Sequence, residues 1–270
     1  MKKYKNVVWD WNGTLLADVK TGVNTLNCML EKRGLPTLSL ATYRDVFGFP
    51  VEDFYRKVGF DFQRENLHEI SVDFVNTYDL FAKGICLNPG VADTLHQIQQ
   101  LGIKQYILSA LREDLLKQMV VDFHIQHYFY QVCGSDNIYA AGKVERGKRM
   151  VEKYLNELLD RENSYVIGDR LSDMQLAANM GIRGIYRGGE IFTDLPVAFC
   201  TESWLEIRDF LKQGCRRVKI ERRTSETEVC AELDLNGSGR AGIDTGIAFF
   251  DHMLEQLARH GGVDLYFQVK

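Results

Sequence analysis

The chain has 270 residues, of which 45% are hydrophobic and 26% charged, with a formal net charge of −4. These values exclude a disordered chain, a collagen and a coiled coil. The small negative charge gives no electrostatic basis for binding nucleic acid or an anionic membrane. At roughly 100–200 residues per domain, the length predicts one large or two smaller domains.

Three features of the sequence indicate a cytoplasmic protein. No apolar run approaches the ~18 residues that span a bilayer. Asp10 interrupts the first apolar run after a few residues, which is too early for a secretory signal. The six cysteines show no metal-ligand spacing, so we expect reduced thiols.

The first third of the chain predicts a strand followed by helices. The short apolar run at 6–9 is typical of a buried strand. Residues 19–83 carry apolar side chains at three- and four-residue steps, which predicts a helical insert of about 65 residues. A further helix is expected after Pro89-Gly90, ending near residue 100.

From residue 103 onward, strands and helices alternate. Strands are predicted at 103–109, 128–134, 164–168 and 182–186, and helices at 112–123, 144–159, 170–180 and 203–213. This order predicts an α/β fold, with a Rossmann-like parallel sheet and helices on both of its faces. Ligands of such sheets bind outside the carboxyl ends of the strands.

The pattern changes after residue 214, and we place a domain boundary at 214–216. The first domain is then 1–214, with its helical insert at about 17–85, and the remainder is an α+β segment at 215–270. In that segment we predict antiparallel strands at 216–223 and 228–233, a hairpin turn at Asn236-Gly237-Ser238-Gly239, a helix at 247–260 and a strand at 263–269.

Four short motifs lie at or after the ends of predicted strands or begin the following helix. They are Asp10-Trp11-Asn12-Gly13-Thr14, Ser109, Lys143 and Gly168-Asp169-Arg170-Leu171-Ser172-Asp173. A single Asp or Ser in such a place is usually a turn or cap residue. All four in this order indicate one site at the rim of the sheet.

The residue types in these motifs fit transfer of a phosphoryl group to a carboxylate. Asp10 is the candidate nucleophile, which would form an aspartyl-phosphate intermediate. Mg²⁺ takes oxygen ligands, and the candidates are Asp10, the Asn12 backbone carbonyl and Asp169, with Asp173 holding a water or bracing the ligands. The phosphate oxygens would be held by Ser109 and Lys143.

On these motifs, residues 1 to about 200 resemble the haloacid dehalogenase-like (HAD) superfamily. The resemblance implies a Mg²⁺-dependent phosphomonoester hydrolase acting on a small phosphorylated metabolite. It also implies that the helical insert is a C1 cap, which closes over the substrate. Thr14 and the cap residue Gly48 become candidate substrate contacts, although the Phe47-Gly48-Phe49-Pro50 segment is equally typical of a plain helix–helix turn.

One residue departs from the pattern of this superfamily. Its phosphatases usually carry Asp two residues after the nucleophile as general acid and base, and here that residue is Asn12. General acid–base catalysis contributes about 10²–10⁴-fold. Three explanations stay open: a good leaving group, a cap residue acting instead, or a catalytically weak phosphate-binding module. Trp11 is similar to its counterpart in phosphonate hydrolases, but no matching cap lysine is identified.

Residues 216–270 resemble the start of imidazoleglycerol-phosphate dehydratase, in the strings 222–227, 245–254 and 259–262. The resemblance implies that His252 is a Mn²⁺ ligand and that Glu226 contacts substrate. That family's other ligands lie further downstream, so we expect a Mn²⁺ site and dehydratase activity only in a complete domain. The apolar face formed by Phe249, Phe250, Leu254 and Leu257 predicts aggregation or docking on the first domain.

The order of the two segments is similar to the bifunctional histidinol-phosphatase/imidazoleglycerol-phosphate dehydratase family of histidine biosynthesis. Histidinol phosphate is therefore one candidate substrate, and a fragment of such a bifunctional enzyme is an alternative interpretation. The C1 cap, Asn12 and the lack of a Cys/His zinc loop differ from that family. We therefore expect a chimeric, truncated chain with its junction near Lys153-Tyr154, and the oligomeric state stays open.

Overall fold

The computed structural model describes residues 5–48, 50–136, 144–155, 159–189, 193–213, 217–235, 237 and 239–269. The chain divides into two compact units, Met1–Arg208 and Asp209–Lys270. The boundary expected at 214–216 lies outside the described residues and stays a prediction.

The first unit is built on a six-stranded sheet. Its strands are β1 (Asn6–Trp9), β2 (Lys104–Arg112), β3 (Phe129–Ser135), β4 (Tyr165–Gly168), β5 (Arg183–Tyr186) and β6 (Val197–Cys200). They lie in the order β3-β2-β1-β4-β5-β6, and all neighbouring pairs are parallel. The α/β prediction is confirmed. Strand β6 was not predicted from the sequence.

Four helices are inserted between β1 and β2 and form the cap. They are α1 (Val19–Lys32), α2 (Leu40–Val46), α3 (Val51–Lys57) and α4 (Leu67–Phe81). The cap has its own hydrophobic cluster, in which Leu26, Met29 and Ile70 are fully buried. Helix α4 begins with a reciprocal capping box between Asn66 and Glu69, an arrangement that satisfies two backbone donors. The predicted helical insert is therefore confirmed.

The remaining helices of the α/β core follow the strands. They are α5 (Val91–Gln100), α6 (Glu113–Asp122), α7 (Val144–Met150), α8 (Leu171–Met180) and α9 (Trp204–Gln213). Helix α7 continues as a π-helical segment, Val151–Leu155. The predicted helix at 144–159 is thus shorter as an α-helix, and its residues 156–158 lie outside the described part.

The central strands are apolar on both faces, as expected for a parallel sheet covered by helices. Val8, Tyr106 and Val166 lie side by side in the main hydrophobic cluster and are almost fully buried. Burying one such side chain stabilises a fold by about 1.5–3 kcal/mol. The Trp9 indole donates to the Gln105 side chain at 3.1 Å, so its buried N–H is paired. This packing fixes the rim on which the candidate site lies.

The second unit is a four-stranded sheet with one helix. Its strands are β7 (Arg217–Arg223), β8 (Glu228–Asp234), β9 (Ala241–Asp244) and β10 (Asp264–Val269), and its helix is α10 (Ala248–Gly261). The order is β7-β8-β10-β9, with β10 antiparallel to β8 and parallel to β9. The turn predicted at 236–239 lies partly outside the described residues and stays a prediction, while the strands on either side of it, β8 and β9, are separated in the sheet by β10.

Helix α10 exposes a row of large apolar side chains. Phe249 is 75% exposed, Leu257 57% and Met253 50%. The predicted solvent exposure of this face is confirmed for Phe249, Phe250 and Leu257, whereas Leu254 is half-buried. Exposed apolar rows of this kind are unusual for a soluble surface.

Two further expectations concern membranes and thiols. Within the described part of the chain, no helix is both long and apolar enough to cross a bilayer. Of the six cysteines, the five in the described part of the chain, at 28, 86, 133, 200 and 230, are free thiols.

Candidate active site

Adjacent parallel strands bring the first and fourth motifs together. Asp10 directly follows β1, and Asp169 directly follows β4, the strand that pairs with β1. The Asp10 backbone N–H donates to the Ile167 carbonyl at 2.9 Å, which continues the strand pairing into the loop. Asp173 lies in the first turn of α8. One carboxylate oxygen from each of Asp10, Asp169 and Asp173 lies within 4.8 Å of the others.

Thr14 connects two of these carboxylates. Its hydroxyl lies 3.2 Å from Asp10 Oδ2 and 3.0 Å from Asp169 Oδ1. The side chain is completely buried. Because one hydroxyl proton is shared between two acceptors, Thr14 holds Asp10 and Asp169 in a fixed relative position.

The three carboxylates bring together the oxygen ligands and the negative charge that a metal cation binds. Asp10 is 5% exposed and Asp173 is fully buried. Like charges at this separation oppose ionisation unless an opposite charge is present. Mg²⁺ prefers carboxylate oxygens, so the residues present fit the ion that the sequence predicts.

Two glycines allow the loops to approach the carboxylates. Gly13 has φ of +83°, and a Cβ on it would lie 2.5 Å from Asp169 Oδ2. A Cβ on Gly168 would lie 2.2 Å from Asp173 Oδ2. Gly13 combines a left-handed backbone with this close approach, whereas Gly168 is required by the close approach alone.

Replacing Gly13 by Ala is expected to weaken Mg²⁺ binding more than it destabilises the fold. The added methyl group would displace Asp169, and disturbing a ligand's support typically costs 10–100-fold in metal affinity (a rough range). Gly34→Ala is the matched control, because Gly34 has φ of +67° but no atom within 4 Å. Both variants carry the backbone strain of about 1–2 kcal/mol. Calorimetric Mg²⁺ titration that gives equal affinities for the two variants would contradict this account.

Asn12 is held in place by its neighbours. Its amide donates to Asp18 Oδ2 at 2.6 Å, and its carbonyl oxygen accepts from the Ser109 hydroxyl at 3.3 Å. Ser109 is fully buried on β2 and also accepts from the Leu111 backbone N–H at 3.1 Å. The side chain therefore has defined donor and acceptor partners.

Asp18 joins the cap to the first motif. Its carboxylate accepts from the Gly13 backbone N–H at 2.7 Å and from the Tyr78 hydroxyl of α4 at 3.0 Å, besides Asn12. Burial raises the pKa of Asp18, while these hydrogen bonds and the charge of Arg170 oppose the rise. Burial and Asp18 both raise the pKa of Tyr78, so this phenol stays protonated and donates.

Asn88 braces the same loop from the second hinge of the cap. Its amide donates to the Gly13 carbonyl at 3.1 Å and to the Thr14 carbonyl at 2.6 Å. Its backbone N–H donates to the Leu15 carbonyl at 2.9 Å. The turn at Asn88-Pro89-Gly90 therefore positions the loop that carries Asp10.

Arg170 contacts the cap from the core side. Its guanidinium carbon lies 4.0 Å from the centroid of the Phe47 ring. Burial raises the pKa of the Tyr43 hydroxyl, and the charge of Arg170 opposes that rise. Burial alone would lower the pKa of Arg170, but nearby groups raise it, namely Tyr43, Asp169, Asp10 and Asp173. Arg170 therefore places a positive charge beside the carboxylate cluster.

The structure brings most of the predicted first-unit residues together. Asp10, Thr14, Asp169 and Asp173 form one cluster, and Asn12 and Ser109 lie beside it. Lys143 lies outside the described residues. Gly48 follows Phe47 and so lies in the cap segment that contacts Arg170.

The two site residues predicted in the second unit are not part of a cluster of potential ligands among the described residues. Glu226 and His252 are both exposed. Among the described residues, the one group of three or more potential metal ligands is Asp10, Asp169 and Asp173. The assignments of Glu226 and His252 stay predictions.

Sequence reasoning missed four residues of this site, which are Asp18, Tyr78, Asn88 and Arg170. Arg170 stands inside the fourth motif, and Asn88 opens a Pro-Gly turn, so both had a local signal. Asp18 and Tyr78 are brought together from positions 60 residues apart, and no local pattern predicts that contact.

Solved structures of low sequence identity share the fold. Protein tyrosine kinase A of Mycobacterium tuberculosis superposes with a TM-score of 0.62 at 20% identity, covering 78% of this chain and 99% of that one. A haloacid dehalogenase-like hydrolase of Streptococcus pneumoniae gives a TM-score of 0.57 at 21% identity, covering 76% and 96%.

Curated relatives match a shorter part of the chain at higher identity. The histidine biosynthesis bifunctional protein HisB of Bacteroides fragilis is 43% identical over 128 residues, covering 45% of this chain and 34% of the relative. HisB of Campylobacter jejuni is 46% identical over 122 residues, covering 45% and 31%. The chain thus spans about a third of the length of these relatives.

The family comparison agrees with the geometry of the site. The haloacid dehalogenase-like hydrolase family matches residues 7–186, a range that runs from the second residue of β1 to the end of β5 and contains the cap and the carboxylate cluster. The chain therefore belongs to the haloacid dehalogenase-like hydrolases.

Proposed function

We propose that this hydrolase is a Mg²⁺-dependent phosphomonoester hydrolase that acts on a small phosphorylated metabolite. The observation that carries the proposal is the cluster of Asp10, Asp169 and Asp173, with oxygens within 4.8 Å of one another. The hydrogen bonds from Thr14 fix Asp10 in this cluster. A buried carboxylate held at a strand end can act as a nucleophile.

In the proposed reaction, an Asp10 carboxylate oxygen attacks the phosphorus atom. The bond between phosphorus and the ester oxygen breaks, and the leaving group keeps the electron pair and takes up a proton from solvent water. Water then attacks the aspartyl-phosphate, which releases inorganic phosphate and restores Asp10. Ser109, and Lys143 as a point charge, would orient the phosphoryl oxygens.

The metal would be held by the carboxylates of Asp10 and Asp169 and by the backbone carbonyl of Asn12. Asp173 would be a supporting group. When bound, Mg²⁺ would neutralise charge on the phosphoryl oxygens. The role of Gly13 and Gly168 is to let these loops come close enough for the carboxylates to share one ion.

The hydrogen bonds of Asn12 favour a second candidate, a phosphate-binding module with weak turnover. An amide cannot supply the proton that the leaving group needs. Because Asn12 is engaged by Asp18 and Ser109, it serves as a structural bridge here. Substrates with good leaving groups would then be hydrolysed faster than alkyl esters.

The curated relatives supply a candidate metabolic setting. Their printed name places them in histidine biosynthesis, and we extend this setting to the chain as a proposal. Histidinol phosphate is the substrate that this setting suggests. The dehydratase function of the second unit is a further proposal, which requires Mn²⁺ and a complete domain.

Phosphate release from a panel of monoesters is the direct test. We expect hydrolysis of p-nitrophenyl phosphate and of small alkyl phosphates in Mg²⁺, and loss of all of it in EDTA. The panel includes histidinol phosphate. The dehydratase proposal is tested separately, by loss of imidazoleglycerol phosphate in Mn²⁺, because a dehydration releases water and no phosphate. Phosphate binding without any turnover would favour the binding module, and EDTA-resistant hydrolysis would contradict the metal assignment.

A further inference from the structure

We propose that the second unit carries a self-association surface, through which two copies of this chain form a symmetric dimer. The inference is independent of the proposed hydrolase function, because it concerns residues of the unit Asp209–Lys270 alone. Eighteen large apolar side chains are exposed among the described residues, and nine of them belong to this unit. Half of the exposed large apolar side chains thus lie in less than a quarter of the chain.

One face of the four-stranded sheet is apolar across all of its strands. Residues directly opposite each other on paired strands share a face of the sheet. Two rows of opposed residues cross β7, β8, β10 and β9 in that order: Val218–Leu233–Leu265–Ala241 and Ile220–Ala231–Phe267–Ile243. Since side chains alternate between the two faces of a strand, the ion pair of Lys219 and Glu221 lies on the opposite, polar face.

Helix α10 covers only half of this apolar face. It packs against β9 and β10. Along the first row, Leu265 of β10 is 7% exposed, Leu233 of β8 is half-buried and Val218 of β7 is 48% exposed. Ile220, the β7 residue of the second row, is 59% exposed. Because exposure rises from β10 to β7, the helix lies over the β9–β10 half, and the β7–β8 half has no helix on it.

The uncovered half of the face has the width of one helix. Neighbouring strands lie about 4.8 Å apart, so four strands make a sheet about 19 Å wide. A helix with its side chains is about 10 Å across. The sheet therefore has room for two helices side by side, and α10 fills one of the two places. A second helix with an apolar stripe would complete the layer.

The outer surface of α10 provides such a stripe. Phe249, Met253 and Leu257 recur at four-residue steps and are each at least half exposed, and residues four apart lie on the same side of a helix. Ala258, in contrast, is fully buried. The exposed row can therefore pack on a second sheet while α10 stays on its own.

A two-fold arrangement buries the helix row and the uncovered strands together. With two sheets facing each other, α10 of each copy lies over the β7–β8 half of the other copy. This interface is isologous, because the helix row of one copy meets the strand row of the other, and the reverse. The exposed side chains that it buries in each copy are Val218, Ile220, Phe249, Phe250, Met253 and Leu257.

The area of this face is sufficient for a dimer. At roughly 100 Å² of exposed surface for each large side chain, the six residues offer about 600 Å² per copy. Two copies then bury about 1,200 Å² in total, which is the lower end of the range for stable, specific interfaces. We therefore expect a dissociation constant in the micromolar range.

Sedimentation velocity of the whole chain, over a concentration series that brackets this range, tests the dimer. We expect the mass to rise with concentration from 31.0 kDa to twice that value and no further, since a two-fold interface closes on itself. A chain that stays monomeric throughout the series would overturn the proposal, as would growth into larger species without a dimer plateau.

The variants Met253→Glu and Ile220→Lys each place a charge in the proposed contact. Each should raise the dissociation constant by at least about 10–100-fold, because an unpaired charge would be buried twice in every dimer. Both side chains are at least half exposed, so the monomer should keep its melting temperature. Leu80→Glu is the matched control, since Leu80 is a 69% exposed leucine of the cap helix α4, and it should leave the dissociation constant unchanged.

Mixing the two charged variants distinguishes this interface from general stickiness. An equimolar mixture of Met253→Glu and Ile220→Lys chains should form a heterodimer, because one contact pairs the introduced carboxylate with the introduced ammonium and the other contact is unmodified. A mixture that stays monomeric would overturn the proposal, and so would self-association that Met253→Glu leaves intact. A monomer that Met253→Glu strongly destabilises would also overturn it, by showing that the face packs on another part of its own chain.

Discussion

Replacing Asp10 by Asn is expected to abolish phosphate release while the fold is retained. The amide keeps the size of the side chain and can still pair with the Thr14 hydroxyl, which lies 3.2 Å from Asp10 Oδ2. It has no nucleophilic oxygen, so no aspartyl-phosphate can form. Because residual activity after loss of a nucleophile reflects positioning alone, we expect a loss on the order of 10³-fold or more.

The measurement combines steady-state kinetics with thermal unfolding. The melting temperature of Asp10→Asn without Mg²⁺ should equal or exceed that of the unmodified chain, since one of three clustered negative charges is removed. Asp53→Asn is a matched control, because Asp53 is a surface residue of the cap helix α3. Turnover retained by Asp10→Asn would assign the nucleophile to another residue.

The second prediction concerns the hydrogen bond between the side chains of Asn12 and Asp18. Asn12→Asp alone should destabilise the chain, because two carboxylates would meet at the 2.6 Å distance now spanned by an amide donor. Carboxylates this close cannot both ionise. We expect a loss of about 1–3 kcal/mol and a correspondingly lower melting temperature.

The double variant Asn12→Asp with Asp18→Asn should restore both the pairing and the catalysis. It reverses donor and acceptor within the pair, and the Tyr78 hydroxyl, 3.0 Å from Asp18 Oδ2, can accept instead of donate. A carboxylate at position 12 would then provide general acid–base catalysis. We expect kcat on alkyl monoesters to rise by about 10²–10⁴-fold over the unmodified chain.

We would measure kcat and melting temperature for four chains: the unmodified chain, the two single variants and the double variant. Asp18→Asn alone should lower stability, because two amide donors would then face each other. A double variant that is stable but no faster than the unmodified chain would show that position 12 has no acid–base role here. Fast turnover of alkyl esters by the unmodified chain would show that another group already supplies the proton.

Long, periodic segments were predictable from the sequence alone. The alternation after residue 103 gave the parallel sheet, and the three- and four-residue steps of 19–83 gave the helical cap. Both signals depend on burial of one face of each element, which repeats along the chain. Two short strands were missed, β6 (Val197–Cys200) and β9 (Ala241–Asp244), which are only partly buried. The equally short strands β1 and β4 are fully buried and were predicted from their apolar runs.

Pairing between strands was less predictable than the strands themselves. The sequence 236–239 is typical of a two-residue hairpin, yet β10 lies between β8 and β9. Both edges of β8 are occupied, by β7 and by β10, so β8 and β9 do not pair with each other. Turn residues specify a local bend, whereas the packing of the whole sheet selects the partner strand.

The site residues also divide into those that local sequence predicted and those that tertiary packing determined. Residue type and position after a strand were sufficient to select Asp10, Thr14, Asp169 and Asp173, because parallel strand ends meet at one rim of the sheet. The contacts that tune them come from the cap and hinges: Asp18 with Tyr78, Asn88 with the loop carbonyls, and Arg170 with Phe47. The positions of these residues along the chain do not predict these contacts. The sequence by itself thus determined the family and its carboxylates. Only the tertiary structure decided which partners hold Asn12 and which cap residues contact the core, because those contacts join residues far apart in the chain.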